Sequence, residues 1–165
     1  MLRFQAGSRV AFEELFERYR DPLYAFFRRR LASRERAEDL TQETFVAVMR
    51  ASARYEPRAS VRTYLYSIAL KLLLAERRRE TRSEAISNIA AAPADSGMEA
   101  GIWVRQALEK LDSAEREILM LREYEQLAYE EIGQILHLPL NTVRSRLFRA
   151  RAALRQQLSP EATWT

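Results

Sequence analysis

Residues 129–151 read Tyr129-Glu-Glu-Ile-Gly-Gln-Ile-Leu-His-Leu-Pro-Leu-Asn-Thr-Val-Arg-Ser-Arg-Leu-Phe-Arg-Ala-Arg151. Ile132, Ile135 and Leu136 recur at helical spacing, a four-residue turn follows at 137–140, and a longer periodic segment begins there. Glu130 and Glu131 stand at the positive end of the first helix, where its dipole favours them. On a wheel of about 100° per residue, Val143, Leu147, Ala150, Leu154 and Leu158 share one stripe that packs on a core. Asn141, Thr142, Ser145 and Arg149 project from the opposite side, with Arg144 and Arg146 on the flanks. Two short helices, a tight turn and an Arg-rich second helix describe a helix-turn-helix, whose second helix enters the major groove N-terminal end first. Arg there pairs with guanine and Asn with adenine, while Arg151 and Arg155, nearer the stripe, are phosphate or structural candidates.

Working outward, residues 102–158 divide into four helices, 102–111, 113–125, 128–136 and 140–157, with Ser113 as an N-cap ahead of first-turn acids. Upstream, at 81–101, the composition shifts to Ser, Ala, Asn, Pro, Asp and Gly. Residues 82–101 read as a flexible linker with a root-mean-square span of roughly 25 Å, although Ile86 and Ile89 offer the seed of a short helix. Before it, Phe12, Leu15, Phe16 and Tyr19, then Leu40, Phe45, Val48 and Met49, keep helical period. Pro57, Pro93, Pro139 and Pro160 lie between periodic segments, and Pro22, after Asp21, marks a helix start. No strand alternation competes. The expected fold is all-α, with small helical domains at 1–81 and 102–158, a linker at 82–101 and a tail at 159–165.

A chain of 165 residues that is 47% hydrophobic holds one compact domain or two small ones. Its net charge of +4 hides an asymmetry: residues 1–82 carry a net +7 and residues 83–165 a net −3. Of the 27 cations 25 are Arg, a bias toward planar, bidentate recognition of phosphate or carboxylate. Arg144, Arg146, Arg149, Arg151 and Arg155 fall in an acid-free run, so each half carries a basic surface, the footprint of a nucleic-acid binder that touches its target twice. With no Cys, and His137 as the one His, disulfides, thiolate chemistry and His-based metal sites are excluded, and no cofactor or metal is expected. Glu13/Glu14 and Glu130/Glu131 are adjacent pairs whose side chains diverge on a helix, so no acid and base couple forms and no small-molecule substrate is expected. Residues 1–10 lack a signal-peptide core and the longest apolar stretch, 68–75, is broken by Lys71, so no membrane insertion and a cytoplasmic location are expected.

Two stretches of the N-terminal half add chemistry. Asp39, Gln42, Glu43 and Val46 recur at three and four residues along one helix face, either a solvated acidic patch or a face suited to a basic partner helix. The loop at 54–59 carries Tyr55 and Arg58, an aromatic ring and a cation able to hold an unstacked base. On the helix after it, Val61, Tyr64, Leu65, Ile68 and Leu72 form the expected core stripe. Ser60, Thr63, Ser67 and Lys71 leave a polar line for a single strand, with Arg62 and the Arg run at 77–79 for phosphates. Leu70 and Leu74 then add apolar surface opposite the core stripe, either an extra packing layer or a protein-binding patch.

The stretches at 129–133 and 138–151 together resemble region 4 of bacterial extracytoplasmic-function (ECF) sigma factors, which binds the promoter element at minus 35. Ala37-Glu-Asp-Leu-Thr-Gln-Glu-Thr-Phe-Val46 resembles the family's region 2.2, and Ser60-Val-Arg-Thr-Tyr-Leu-Tyr-Ser-Ile-Ala69 resembles the segment that reads minus 10. With Ala11-Phe-Glu-Glu-Leu-Phe16 the match spans nearly the whole chain outside the linker. The resemblance implies a non-enzymatic initiation factor that binds core RNA polymerase, through the β′ clamp helices with region 2 and the β flap with region 4. It also implies promoter DNA as a partner, a loop that captures a flipped base, and a cognate anti-sigma factor. Asn141, Thr142, Arg144, Ser145, Arg146 and Arg149 become minus 35 residues. Tyr55, Arg58, Ser60, Arg62, Thr63, Ser67 and Lys71 become minus 10 residues, and Asp39, Gln42, Glu43 and Val46 meet core polymerase. Ser67-Ile-Ala-Leu-Lys71 departs from the family's common Arg-Ile-Ala-Arg-Asn; Met49 and Tyr64 stand where Trp is frequent, and Asn141 where Gly is. The competing reading is a dimeric helix-turn-helix regulator acting without polymerase, which needs a zipper-like seam that the chain lacks.

Overall fold

The computed structural model describes residues 1–84 and 99–159, which form two compact units, one on each side of the segment between them. All regular structure among the described residues is helical. The first unit holds α1 (Leu2–Gln5), α2 (Arg9–Arg28), α3 (Arg34–Ala51), a 3-10 turn (Ser52–Arg54) and α4 (Val61–Glu84). Ser8 and Ser33 start α2 and α3 by accepting hydrogen bonds from the backbone N–H of Ala11 (3.3 Å) and Arg36 (3.1 Å). Leu23, Phe26 and Phe27 of α2, Leu40 and Val48 of α3, and Leu65, Tyr66 and Leu73 of α4 make the core. Each fully buried Leu or Phe contributes about 1.5–3 kcal/mol. Thr41 and Thr44 are buried mid-helix because their hydroxyls donate to the carbonyls of Ala37 (2.7 Å) and Leu40 (2.8 Å).

Three expectations change here. Pro22 does not start a helix; it lies inside α2, where its exposed ring is accommodated without ending the helix. On α4 the most buried line is Tyr66, Ala69, Leu70 and Leu73, with Leu65 beside it. Val61, Tyr64 and Ile68 are only partly buried, around Leu15, Val48 and Leu65. Leu70 is 5% exposed and so belongs to a second packing layer, and Leu74 remains exposed. Finally, α4 runs on to Glu84 and α5 already begins at Glu99, so both ends of the expected 82–101 linker are helical. Its middle, with Ile86, Ile89 and Pro93, lies outside the described residues, as do Pro160 and the rest of the tail beyond 159.

The second unit holds α5 (Glu99–Glu109), α6 (Ser113–Glu123), α7 (Tyr129–Leu136) and α8 (Leu140–Leu158), within a few residues of the expected bounds. The cap of α6 is Asp112 rather than Ser113: its carboxylate accepts from the N–H of Ala114 at 3.0 Å. Ile118, Leu121, Leu127, Ile132, Val143, Leu147 and Ala150 are buried together, with α8 packed on α5, α6 and α7. Several arginines clamp backbone carbonyls at a helix end or in the loops between helices. Arg116 donates to the carbonyls of Leu108 (2.8 Å), Glu109 (2.7 Å) and Leu111 (3.2 Å), closing α5. Arg122 donates to Leu127 (2.9 Å), and in the first unit Arg28 donates to Leu31 (3.1 Å). At Arg116 one planar guanidinium reaches several carbonyls that the end of α5 leaves without donors.

Candidate nucleic-acid interface

The turn between α7 and α8 is built for close approach. His137 closes α7 in the left-handed conformation (φ 54°), and the N–H of Leu138 returns to the carbonyl of Gly133 at 2.9 Å. A Cβ on Gly133 would stand 2.9 Å from the backbone oxygen of Leu138, so only glycine lets the turn close. The carboxylate of Glu131 accepts from the N–H of Ala128 at 2.9 Å and fixes the start of α7. Pro139 then opens α8.

The helix wheel holds for α8 over most of its length. Val143, Leu147 and Ala150 are buried, although Leu158 at the far end is exposed. Asn141, Arg144, Ser145 and Arg149 are exposed, and Thr142 and Arg146 are half-buried. Arg144 donates to the Asn141 side-chain oxygen at 3.3 Å, which sets both heads together. Arg151 is drawn away from this surface: it donates to Glu123 at 2.7 Å and to the Tyr129 hydroxyl at 3.4 Å, tying α8 to α6 and α7. The hydrogen bond to Glu123 holds its guanidinium charge more firmly than usual. Of its two expected roles, Arg151 fills the structural one in this chain. Phe148, passed over in the sequence, is 76% exposed on the same helix beside Arg149. Its signal was an aromatic lying off the core stripe.

In the first unit the outer face of α3 presents Asp39, Gln42 and Glu43, with Val46 half-buried below them. Arg36 organises this face. It makes a two-pronged pair with Glu76 of α4 (2.7 and 2.8 Å) and reaches Asp39 (3.4 Å) and Glu43 (3.2 Å) with its remaining nitrogen. Glu76 is 6% exposed, and its hydrogen bonds from Arg36 hold its carboxyl below the ordinary range against the opposing effect of burial. Neither residue stood out in the sequence, because their partners are 40 positions apart.

The expected minus 10 residues are dispersed in exposure. Ser60, Arg58 and Lys71 are exposed; Arg62 and Ser67 are half-buried. Thr63 is not on the surface: it is 2% exposed, its hydroxyl shares a 2.9 Å hydrogen bond with that of Ser60, and Ser60 caps α4 by accepting from the Thr63 N–H. Tyr55 is 7% exposed, its ring packed edge-on against Tyr64 at 4.9 Å, so it is no open stacking platform. Burial pushes the Tyr64 hydroxyl above its usual value. Arg58 pairs with Glu56 at the loop tip at 2.6 Å.

Comparison with known proteins divides the chain at the same place. Residues 15–83 match the model for sigma-70 region 2, and residues 102–154 match that for sigma-70 region 4. The RNA polymerase sigma-H factor of Pseudomonas aeruginosa is 31% identical over 96% of this chain and 91% of its own length. The ECF RNA polymerase sigma-E factor of Salmonella typhimurium is 32% identical over 96% of this chain and 92% of its own. The chain belongs to the sigma-70 family, among its ECF sigma factors.

Solved relatives carry the same fold. CnrH, determined in complex with the cytosolic domain of CnrY, superposes on this sigma factor with a TM-score of 0.75 at 26% identity, over 99% of this chain and 96% of that one. RpoE of Bartonella quintana, determined with the anti-sigma factor NepR, gives 0.74 at 23% identity over 93% of this chain and 99% of that one. Region 2 and region 4 are the family's modules for core RNA polymerase and promoter DNA, and sigma factors are initiation factors rather than enzymes. A regulator working without polymerase would not need region 2, so that reading is not favoured. Among the described residues no helix of this sigma factor is long and apolar enough to cross a membrane.

Proposed function

We propose that this sigma factor docks on core polymerase through the α3 face of Asp39, Gln42, Glu43 and Val46, and reads a minus 35 element with α8. Asn141, Thr142, Arg144, Ser145, Arg146 and Arg149 make the duplex contacts, the arginines and Asn141 at base edges and the hydroxyls at phosphates. The loop at 54–60 and the exposed side of α4 meet the melted strand at minus 10, with Arg58, Ser60, Arg62, Ser67 and Lys71 as contacts. Tyr55 and Thr63 support that surface from beneath. The polymerase performs all the chemistry; the sigma factor adds no catalytic group, binds no small-molecule substrate and works in the cytoplasm beside the chromosome. A cognate anti-sigma factor holds it in reserve, a reading that the solved complex of the sigma factor RpoE with the anti-sigma factor NepR supports.

The observation that supports this reading best is the order of two family modules along one chain at near full-length similarity. Reconstituted transcription tests it. Core polymerase supplied with this protein and a genomic template library should yield transcripts from a limited set of start sites sharing two spaced elements. Transcription no different from core alone would sink the proposal.

A further inference from the structure

Gln5 lies in α1, ahead of the segment matched by region 2. Its side-chain nitrogen donates to the backbone carbonyls of Ala53 (3.3 Å) and Tyr55 (3.1 Å), 48 and 50 residues away. These two carbonyls mark where the 3-10 turn after α3 gives way to the loop that precedes α4. The helix that carries Gln5 is itself seated: Met1 and Phe4 pack around Leu15, Val48 and Leu65 together with Val61, Tyr64 and Ile68, and the Phe4 ring meets Phe12 at 4.9 Å. At the same end the Tyr55 ring packs against Tyr64, and at the far end Ser60 caps α4. Residues 56–59 are thus suspended between two anchored ends, and Gln5 supplies one anchor.

We propose that Gln5 is a positioning residue for strand capture, holding the entry of the 56–59 loop in the conformation that receives the unpaired base. The inference rests on the reading of that loop as the minus 10 contact. An unanchored loop must be ordered when it binds, and that ordering is taken from the binding free energy. Gln5 therefore acts on single-strand affinity without touching DNA.

The experiment uses holoenzyme made with full-length protein, and as probe the single-stranded sequence that wild-type holoenzyme selects from a randomised pool. Gln5→Ala and Gln5→Glu, which remove the donor, should each weaken probe binding roughly three- to tenfold. Gln5→Lys, which keeps a donor of similar reach, should restore it. Affinity for core polymerase and for minus 35 duplex should not move, and hydrogen exchange at residues 53–60 should quicken in the two donor-less variants alone. Unchanged probe affinity in Gln5→Ala, or equal losses in core, duplex and probe binding, overturns the proposal. Arg58→Ala separates the two layers. If it weakens the probe while Gln5→Ala does not, the anchor fails and the loop reading stands; if wild-type holoenzyme selects no sequence, or Arg58→Ala has no effect, the loop reading itself fails.

Discussion

Arg149 is exposed on the proposed DNA face of α8, and among the described residues no hydrogen bond or ion pair holds its guanidinium. Arg149→Ala should therefore cost about 1–3 kcal/mol in minus 35 affinity with no loss of core association, as read by anisotropy on duplex DNA and on labelled core. Equal loss of both would mean a folding residue. Glu76 is the opposite kind of side chain, nearly enclosed and bonded twice by Arg36. Glu76→Gln should lower stability by about 1–3 kcal/mol in urea melts near neutral pH. Its pH dependence has a defined sign. Arg36 keeps the native carboxylate ionised at pH values where the unfolded chain already binds a proton. The stabilisation is full above the ordinary carboxylate value and drains as pH falls through the lower native one, so the acid limb should be shallower in Glu76→Gln.

Helix α2 carries a proline that costs it an internal hydrogen bond without ending it. Because the Pro22 ring is exposed, Pro22→Ala should stabilise the first unit by about 1–3 kcal/mol, visible as a raised midpoint of thermal unfolding. The α3 face makes a further prediction. Asp39 and Glu43 each pair with Arg36, so reversing their charge would disturb folding and docking together. Gln42 lies between them, exposed and outside that network. Gln42→Arg should weaken core binding about tenfold if a basic helix docks there, with an unchanged urea midpoint, and retained affinity would remove the face from the interface. The elements also show why some of the molecule was legible in sequence. α8 buries one narrow stripe, so Val143, Leu147 and Ala150 fixed its phase and exposed its basic side correctly. On α4, Val61, Tyr64 and Ile68 are partly buried around Leu15 of α2, Val48 of α3 and Leu65, while Tyr66, Leu70 and Leu73 are buried on a second line, the Tyr66 ring meeting Phe26 of α2 at 5.6 Å, so two apolar stripes compete on one wheel. A wheel phased on the first stripe points Thr63 outward, although it is buried, and puts Leu70 on the second. Contacts such as Arg36 to Glu76, or Gln5 to the turn at 52–54, join positions 40 to 50 apart, and no local pattern encodes them.

At the scale of the whole molecule the two units have separate cores. Gly133→Ala forces a Cβ against the Leu138 carbonyl and should destabilise only the unit of α5 to α8, by about 1–3 kcal/mol. Calorimetry should show one of two transitions lowered while the other stays in place; a single transition moved as a whole would show that the units unfold together. Of the excess of cations in the composition, several never face solvent freely. Arg116 grips carbonyls at the end of α5, Arg28 and Arg122 grip loop carbonyls, and Arg36 and Arg151 are bound to carboxylates. When holoenzyme meets a promoter, the sodium or potassium ions that the sigma factor expels from the phosphates number only as many as its arginines and lysines still able to reach them. The sigma factor's share of the salt exponent should thus be well below its arginine count. Replacing these gripping arginines with lysine would keep the net charge and lose the fold's fastenings, a difference invisible to any isoelectric point.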